Sequence, residues 1–239
     1  MIRIPSTTER EGAMWNTLLD LADRQQHWTL IGARMVQLHA LEHRRAVSRV
    51  TVDADALADA RVHPNPVRAL AQILTATGFE LVEPNAFGEA HTFVRDGVEI
   101  DVLAPEHLGL RGREARTTVP PSHTVGVPGG RQALARTERI AVRVGGRRGE
   151  LPRPDLPGAI LLKARAVAMG RSAVHRVDLA LLLSLVDDPD RVATGLSRRE
   201  VSWIRRRREM DDPDADCWAG LTRAQRVRGI AALRILSGA

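Results

Sequence analysis

The chain has 239 residues, 44% of them hydrophobic and 27% charged, with a formal net charge of +6 and a sequence pI near 11.0. That length buries a full core as one large domain or two small ones, and the positive balance favours an anionic partner such as a nucleotide or RNA. Aromatic residues make up only 3%, with no tyrosine, which argues against base-stacking platforms of the RRM or OB type, and the single cysteine, Cys217, excludes an intramolecular disulfide.

Lone-cysteine usage suits a reducing compartment, and Met1-Ile-Arg-Ile-Pro-Ser6 holds no apolar signal-peptide core. The apolar runs at 159–162 and 179–186 are too short to span a bilayer, so a cytoplasmic protein without a membrane segment is expected. In chain order, Leu18, Leu19, Leu21 and Ala22 give 17–24 a helical spacing. Residues 27–31 read as a short strand ending at Gly32, and 33–42 resume a helical period through Met35, Val36, Leu38 and Leu41. Strand, glycine, helix is the order that aims backbone N–H groups and a helix N-terminus at an anion. Residues 49–57 read as a strand, 66–77 as an amphipathic helix and 79–82 as a short strand. Residues 91–94 and 98–103 flank Arg95-Asp-Gly97, which has hairpin chemistry. Residues 105–136 are rich in turn formers, 137–144 read as another strand, and Gly145-Gly146 closes it.

At 149–157, Pro152, Pro154 and Pro157 mark a linker that divides 1–148 from 149–239. Beyond it the pattern is almost wholly helical. Residues 158–169 and 177–186 are strongly apolar helices, Asp188-Pro189 is an N-cap followed by proline at the first helical position, 197–210 is polar and Arg-rich, and a final amphipathic helix begins near Thr222.

Asp53 and Asp55 lie two apart on one expected strand and therefore face the same way, and a neighbouring strand can bring Asp101 beside them. Three carboxylates on one sheet face repel one another unless cations neutralise them, and hard oxygen donors of this kind suit Mg²⁺ (or Mn²⁺). Lys163 is the only lysine among 35 basic residues, and its compact ammonium suits a phosphate; its survival by chance is the competing reading.

The ordered set Ile31-Gly-Ala-Arg34, Arg49-Val-Thr-Val-Asp-Ala-Asp55, Glu99-Ile-Asp101 and Lys163…Arg171…Arg176-Val-Asp178 resembles the nucleotidyltransferase superfamily, with its DNA polymerase beta-type palm. Within it the chain looks like the AbiEii/AbiGii toxin branch of type IV toxin–antitoxin systems, over about residues 28–185. The resemblance implies an α/β (α+β) fold: a nucleotidyltransferase palm with a mixed sheet flanked by helices over 1–148, and a C-terminal helical bundle over 149–239. It implies transfer of a nucleotide from an NTP to an acceptor such as tRNA, another RNA or a protein side chain, with an antitoxin protein as partner. Asp53, Asp55 and Asp101 would hold the metal, with Asp101 helping to deprotonate the attacking hydroxyl. Lys163 would neutralise the leaving group. Gly32, Ala33, Arg34, Arg49 and Thr51 would bind the nucleotide and Asp178 would orient Lys163 or the nucleotide, although Arg49 could equally pair with Asp55, and Asp178 could simply cap the helix it starts. Ala33 departs from the usual Gly-Ser or Gly-Gly and removes a phosphate-binding hydroxyl while keeping the backbone N–H. A catalytically degenerate nucleotide-binding relative and an Arg-rich nucleic-acid-binding module are the alternative readings.

Three further motifs carry weaker signals. His39 and His43 have the spacing of a helical metal pair but no third ligand in sequence reach, Asp211–Asp216 lacks the EF-hand glycine and terminal Glu, and Arg205–Arg208 is either a solvated helix face or a grip on RNA. No G-x-S-x-G, Walker A or zinc spacing is present.

Overall fold

The computed structural model describes residues 1–5, 8–46, 51–62, 65–108, 116, 118–168 and 172–238. It is an α/β structure of mixed sheets and helices that divides into two compact units. The first comprises Met1–Met35 and Thr51–Pro154, the second Val36–Val50 and Asp155–Ala239.

In the first unit, strand β1 (Ile2–Ile4) leads to helix α1 (Glu9–Arg24). Thr8 caps α1 by accepting from the Glu11 N–H at 3.1 Å, and Met14, Trp15, Leu18, Leu19 and Leu21 are buried along its length. The helix starts eight residues before the expected Thr17; its first turn, Glu9-Arg-Glu-Gly12, is polar and carries no apolar period that would mark a helix start in the sequence. Strand β2 (Trp28–Ile31) follows, then helix α2 (Gly32–Glu42), whose first turn lies in the first unit and whose remainder lies in the second.

The main sheet runs β2, β3 (Asp53–Ala58), β6 (Val98–Pro105), β5 (Thr92–Arg95) and β4 (Glu80–Leu81), with β7 (Gly126–Val127) added parallel to the end of β6. β3 pairs antiparallel with β2 and parallel with β6. Helix α3 (Pro66–Ala76) starts on an Asn65 cap with proline at its start and packs against β6 with α1. β5 and β6 form the expected hairpin, with Asp96 and Gly97 both at positive φ (50° and 74°), as a two-residue turn of this kind requires. The stretch read as turn-rich also holds a short helix α4 (Gly130–Ala135).

A second, three-stranded sheet runs β1, β8 (Thr137–Val144) and β9 (Arg147–Pro154). β9 corrects the expected linker: Gly149–Pro154 belongs to a strand paired with β8, so the first unit runs to Pro154 rather than ending at 148. As an edge strand, β9 tolerates Pro152 and Pro154. Its Arg153 is buried and meets its cross-strand partner Glu138 at 3.2 Å.

The second unit holds α5 (Leu156–Ala166), α6 (Ser172–Ser184), α7 (Pro189–Thr194), α8 (Arg198–Arg205) and α9 (Arg223–Ser237). Asp155, Asp188, Ser197 and Thr222 cap α5, α7, α8 and α9. Capping boxes join Ser197 to Glu200 and Thr222 to Gln225, and Gly238 closes α9 in the left-handed region. Among the described residues, no helix is long and apolar enough to cross a membrane.

Candidate active site

Strand pairing decides where the acidic residues meet. On β3, Asp53 and Asp55 are partly exposed while Ala54 and Ala56 are buried; on β6, Glu99 and Asp101 are partly exposed while Ile100 and Val102 are buried. The two strands are parallel neighbours in a register that sets Asp53 opposite Glu99 and Asp55 opposite Asp101. Paired residues project to the same side, so four carboxylates form a two-by-two array on one sheet face. Asp101 therefore lies beside Asp53 and Asp55, on their side of the sheet.

Glu99 was not among the expected site residues. The signal was present, because it precedes Asp101 by one strand period. Burial raises its pKa above the ordinary glutamate value, and the negative charges of Asp101 and Asp53 raise it further against an opposing pull from Arg10. Glu99 thus registers its burial first and the repulsion within the array second.

Neighbouring hydroxyls hold two of these carboxylates. Thr92 on β5 lies opposite Asp101 and donates to its Oδ1 at 2.6 Å. Thr51 donates its hydroxyl to Asp53 Oδ1. The donors are hard oxygens and their charges oppose one another, which is the chemistry a divalent cation relieves. Among the described residues, however, no three His, Cys, Asp or Glu side chains stand close enough to share an ion. The set suits Mg²⁺ in donor type and strand placement, and ligation by three of them requires their side chains to draw closer together.

Gly32 opens α2 at φ +69°. A Cβ built on it would fall 1.7 Å from Asp55 Oδ2, so the Asp55 carboxylate occupies the space a side chain would need. The glycine expected for its turn thus also seats a carboxylate at the start of a helix. Ala33 follows it with its backbone N–H in the first turn of α2.

Arg34 is not a free phosphate ligand. It is 3% exposed, with NH1 donating to Glu11 Oε1 at 2.9 Å and NH2 donating to the Thr51 carbonyl at 2.6 Å. Its guanidinium lies 5.4 Å from the Trp15 ring. Desolvation lowers its pKa, partly offset by Glu11 and Asp53. Arg34 is a buried brace that ties α1 to the residue from which Asp53 is hydrogen-bonded. Its partner Glu11 lies 23 residues away in sequence, and no local pattern announces such a pairing.

Compared with models of known protein families and with curated proteins, the chain matches none.

Lys163 and Asp178 belong to the second unit. Lys163 Nζ donates to Asp178 Oδ2 at 2.8 Å, and their side chains are 3% and 1% exposed. Asp178 sits inside α6, which begins at Ser172, so it pairs with the lysine of α5 rather than capping its own helix. Arg49 and Arg171 lie outside the described residues.

The weaker motifs find ordinary partners. His43 Nδ1 lies 2.9 Å from the His39 carbonyl oxygen, and His39 is buried. Asp211 pairs with Arg234 at 2.6 Å, and Asp212 accepts from the Asp214 N–H at 2.9 Å.

Proposed function

We propose that the first unit is a nucleotidyltransferase palm, that the helical unit serves as its C-terminal bundle, and that the protein transfers a nucleotide from an NTP to an acceptor. The observation that carries this reading is the registered array of Asp53, Asp55, Glu99 and Asp101 beside a glycine-started helix. The order strand, glycine, helix, Asp-x-Asp strand and later Asp strand supports it, because it places hard anionic donors next to backbone N–H groups.

In this reading Asp53, Asp55 and Asp101 would hold Mg²⁺, which would supply charge neutralisation at the phosphates and a lowered pKa of the attacking hydroxyl. Asp101 accepts the proton of that hydroxyl. The acceptor oxygen bonds to the α-phosphorus as the bond to the β-phosphate oxygen breaks, and pyrophosphate leaves. The N–H groups at the start of α2 face the terminal phosphates, with no hydroxyl contribution from Ala33. Arg34 and Thr51 hold Asp53 in place. RNA, such as a tRNA end, and protein side chains are the acceptor classes. A toxin role, opposed by an antitoxin partner, rests on the sequence resemblance alone.

A second reading is a nucleotide-binding protein without transfer. Ala33 favours it, as does the lack of a ready-made three-carboxylate group among the described residues. One experiment separates the two: incubation with each α-labelled NTP, Mg²⁺ and total RNA or protein, beside Asp53→Asn. Label transferred by the wild type and lost in a folded variant supports transfer. NTP binding without label transfer or pyrophosphate release supports the second reading. Label transferred equally by both proteins refutes the enzymatic assignment.

A further inference from the structure

The chain's net charge is not evenly spread. The first unit carries 17 basic and 17 acidic residues and the second 18 and 12, so the whole +6 resides in the second unit. Much of that excess is concentrated on one helix and the turn after it.

Arg198, Arg199, Arg205 and Arg206 recur on α8 and its C-cap at positions i, i+1, i+7 and i+8, which share one helical face. All four are exposed, as is Arg208 just beyond. The opposite face holds Glu200, Trp203 and Ile204, all buried. Arg199 lies 5.5 Å from the Trp203 ring, and among the described residues Arg198, Arg205, Arg206 and Arg208 have no ion-pair or hydrogen-bonding partner for their side chains. The nearest sequence acid beyond α8, Glu209, is engaged by Arg176 at 3.4 Å and Arg207 at 3.6 Å. The helix thus presents a cationic row with no internal counter-charge.

We propose that this row binds the phosphodiester backbone of a double-helical nucleic acid without reading its sequence. Guanidinium forks match phosphate oxygens, and several on one face match a periodic polyanion. The face offers Ser202 beside the arginines and no exposed aromatic ring on which unpaired bases would stack, which favours duplex over single strand. It also lacks exposed large apolar residues on α8 that would insert into a membrane surface. This assignment does not depend on nucleotide transfer, and its readout needs neither NTP nor Mg²⁺.

The test is fluorescence anisotropy with labelled 20-base-pair duplexes of two unrelated sequences, across a salt series. The wild type is expected to bind both within about twofold. Arg205→Glu/Arg206→Glu/Arg208→Glu is expected to bind at least on the order of 100-fold more weakly near 0.1 M salt and to reduce the log–log salt slope by about 3, roughly 0.9 per lost phosphate contact. These side chains are exposed, so circular dichroism and melting should match the wild type. Arg3→Glu/Arg148→Glu, on exposed sites of the charge-balanced unit, should leave affinity unchanged. Equal binding by wild type and the triple variant overturns the proposal. So does equal weakening by both charge reversals, which would report bulk charge. Tighter binding of single strands, or equal competition by polyglutamate or anionic vesicles, also overturns it.

Discussion

Lys163→Met separates a structural lysine from one whose only task is chemistry. In the folded protein its ammonium is 3% exposed and 2.8 Å from an Asp178 carboxylate that is 1% exposed. Removing either partner breaks a buried ion pair, a loss of about 3–5 kcal/mol. For a protein of this size, that corresponds to a melting temperature lower by roughly 6–20 °C. Asp178→Asn should cost a similar amount, because it strands the ammonium. The double variant Lys163→Met/Asp178→Asn removes both charges and keeps an amide for hydrogen bonding at 178. It should lie within about 1–2 kcal/mol of the wild type, far above the sum of the single losses. The assay is urea unfolding of all four proteins, read by tryptophan fluorescence and circular dichroism. Single variants costing under about 1 kcal/mol, or a double variant as damaged as the sum, would refute the buried-pair argument. If the double variant is stable and the protein transfers nucleotides, its residual transfer tells whether Lys163 also serves the reaction.

Gly32→Ala should destabilise the protein by about 1–2 kcal/mol from the left-handed backbone alone, roughly 2–8 °C in melting temperature. It should also abolish any Mg²⁺-dependent thermal shift, because the new Cβ displaces Asp55; an unchanged shift would show that the glycine–carboxylate contact is dispensable. Glu99→Gln should raise the melting temperature at pH 7 and have no such effect at pH 3.5. The sign follows from its raised folded pKa: the stability contribution is present below the unfolded value and is lost as pH rises through the folded one. A gain of equal size at both pH values would exclude charge repulsion as its cause, and Mg²⁺ bound at the array should shrink the gain at pH 7.

Legibility from the sequence followed the range of the interactions involved. β8 was readable over its full length because its apolar alternation and closing Gly145-Gly146 are local. The Asp96-Gly97 turn was readable for the same reason. β9 was not, since two prolines and four charged residues give it no strand signature, and its pairing with β8 and the Arg153–Glu138 contact supply what its composition lacks. At the site, the two-residue strand period placed Asp53 and Asp55 together, and the parallel register with β6 set Asp101 alongside. The same period would have included Glu99. Arg34 looked like a phosphate ligand because it follows the glycine turn, whereas its burial depends on Glu11 and Thr51 from other elements. Asp178 carried two readings, a residue that orients Lys163 or the nucleotide and a helix cap; the cap reading came from the apolar run that begins beside it, yet α6 starts six residues earlier.

The first unit's sheet contacts have a consequence for biosynthesis. Ile2, Arg3 and Ile4 pair with Val142, Arg143 and Val144, so the opening strand emerges from the ribosome long before its neighbour is made. The segment Val36–Val50 likewise precedes the rest of its unit by more than 100 residues of translation. Contacts this distant in sequence form late and slow the search for the native state. Nascent chains halted before residue 142 must therefore lack the β1–β8 ladder, and Ile2 and Ile4, buried in the finished fold, have no strand to pair with until synthesis proceeds.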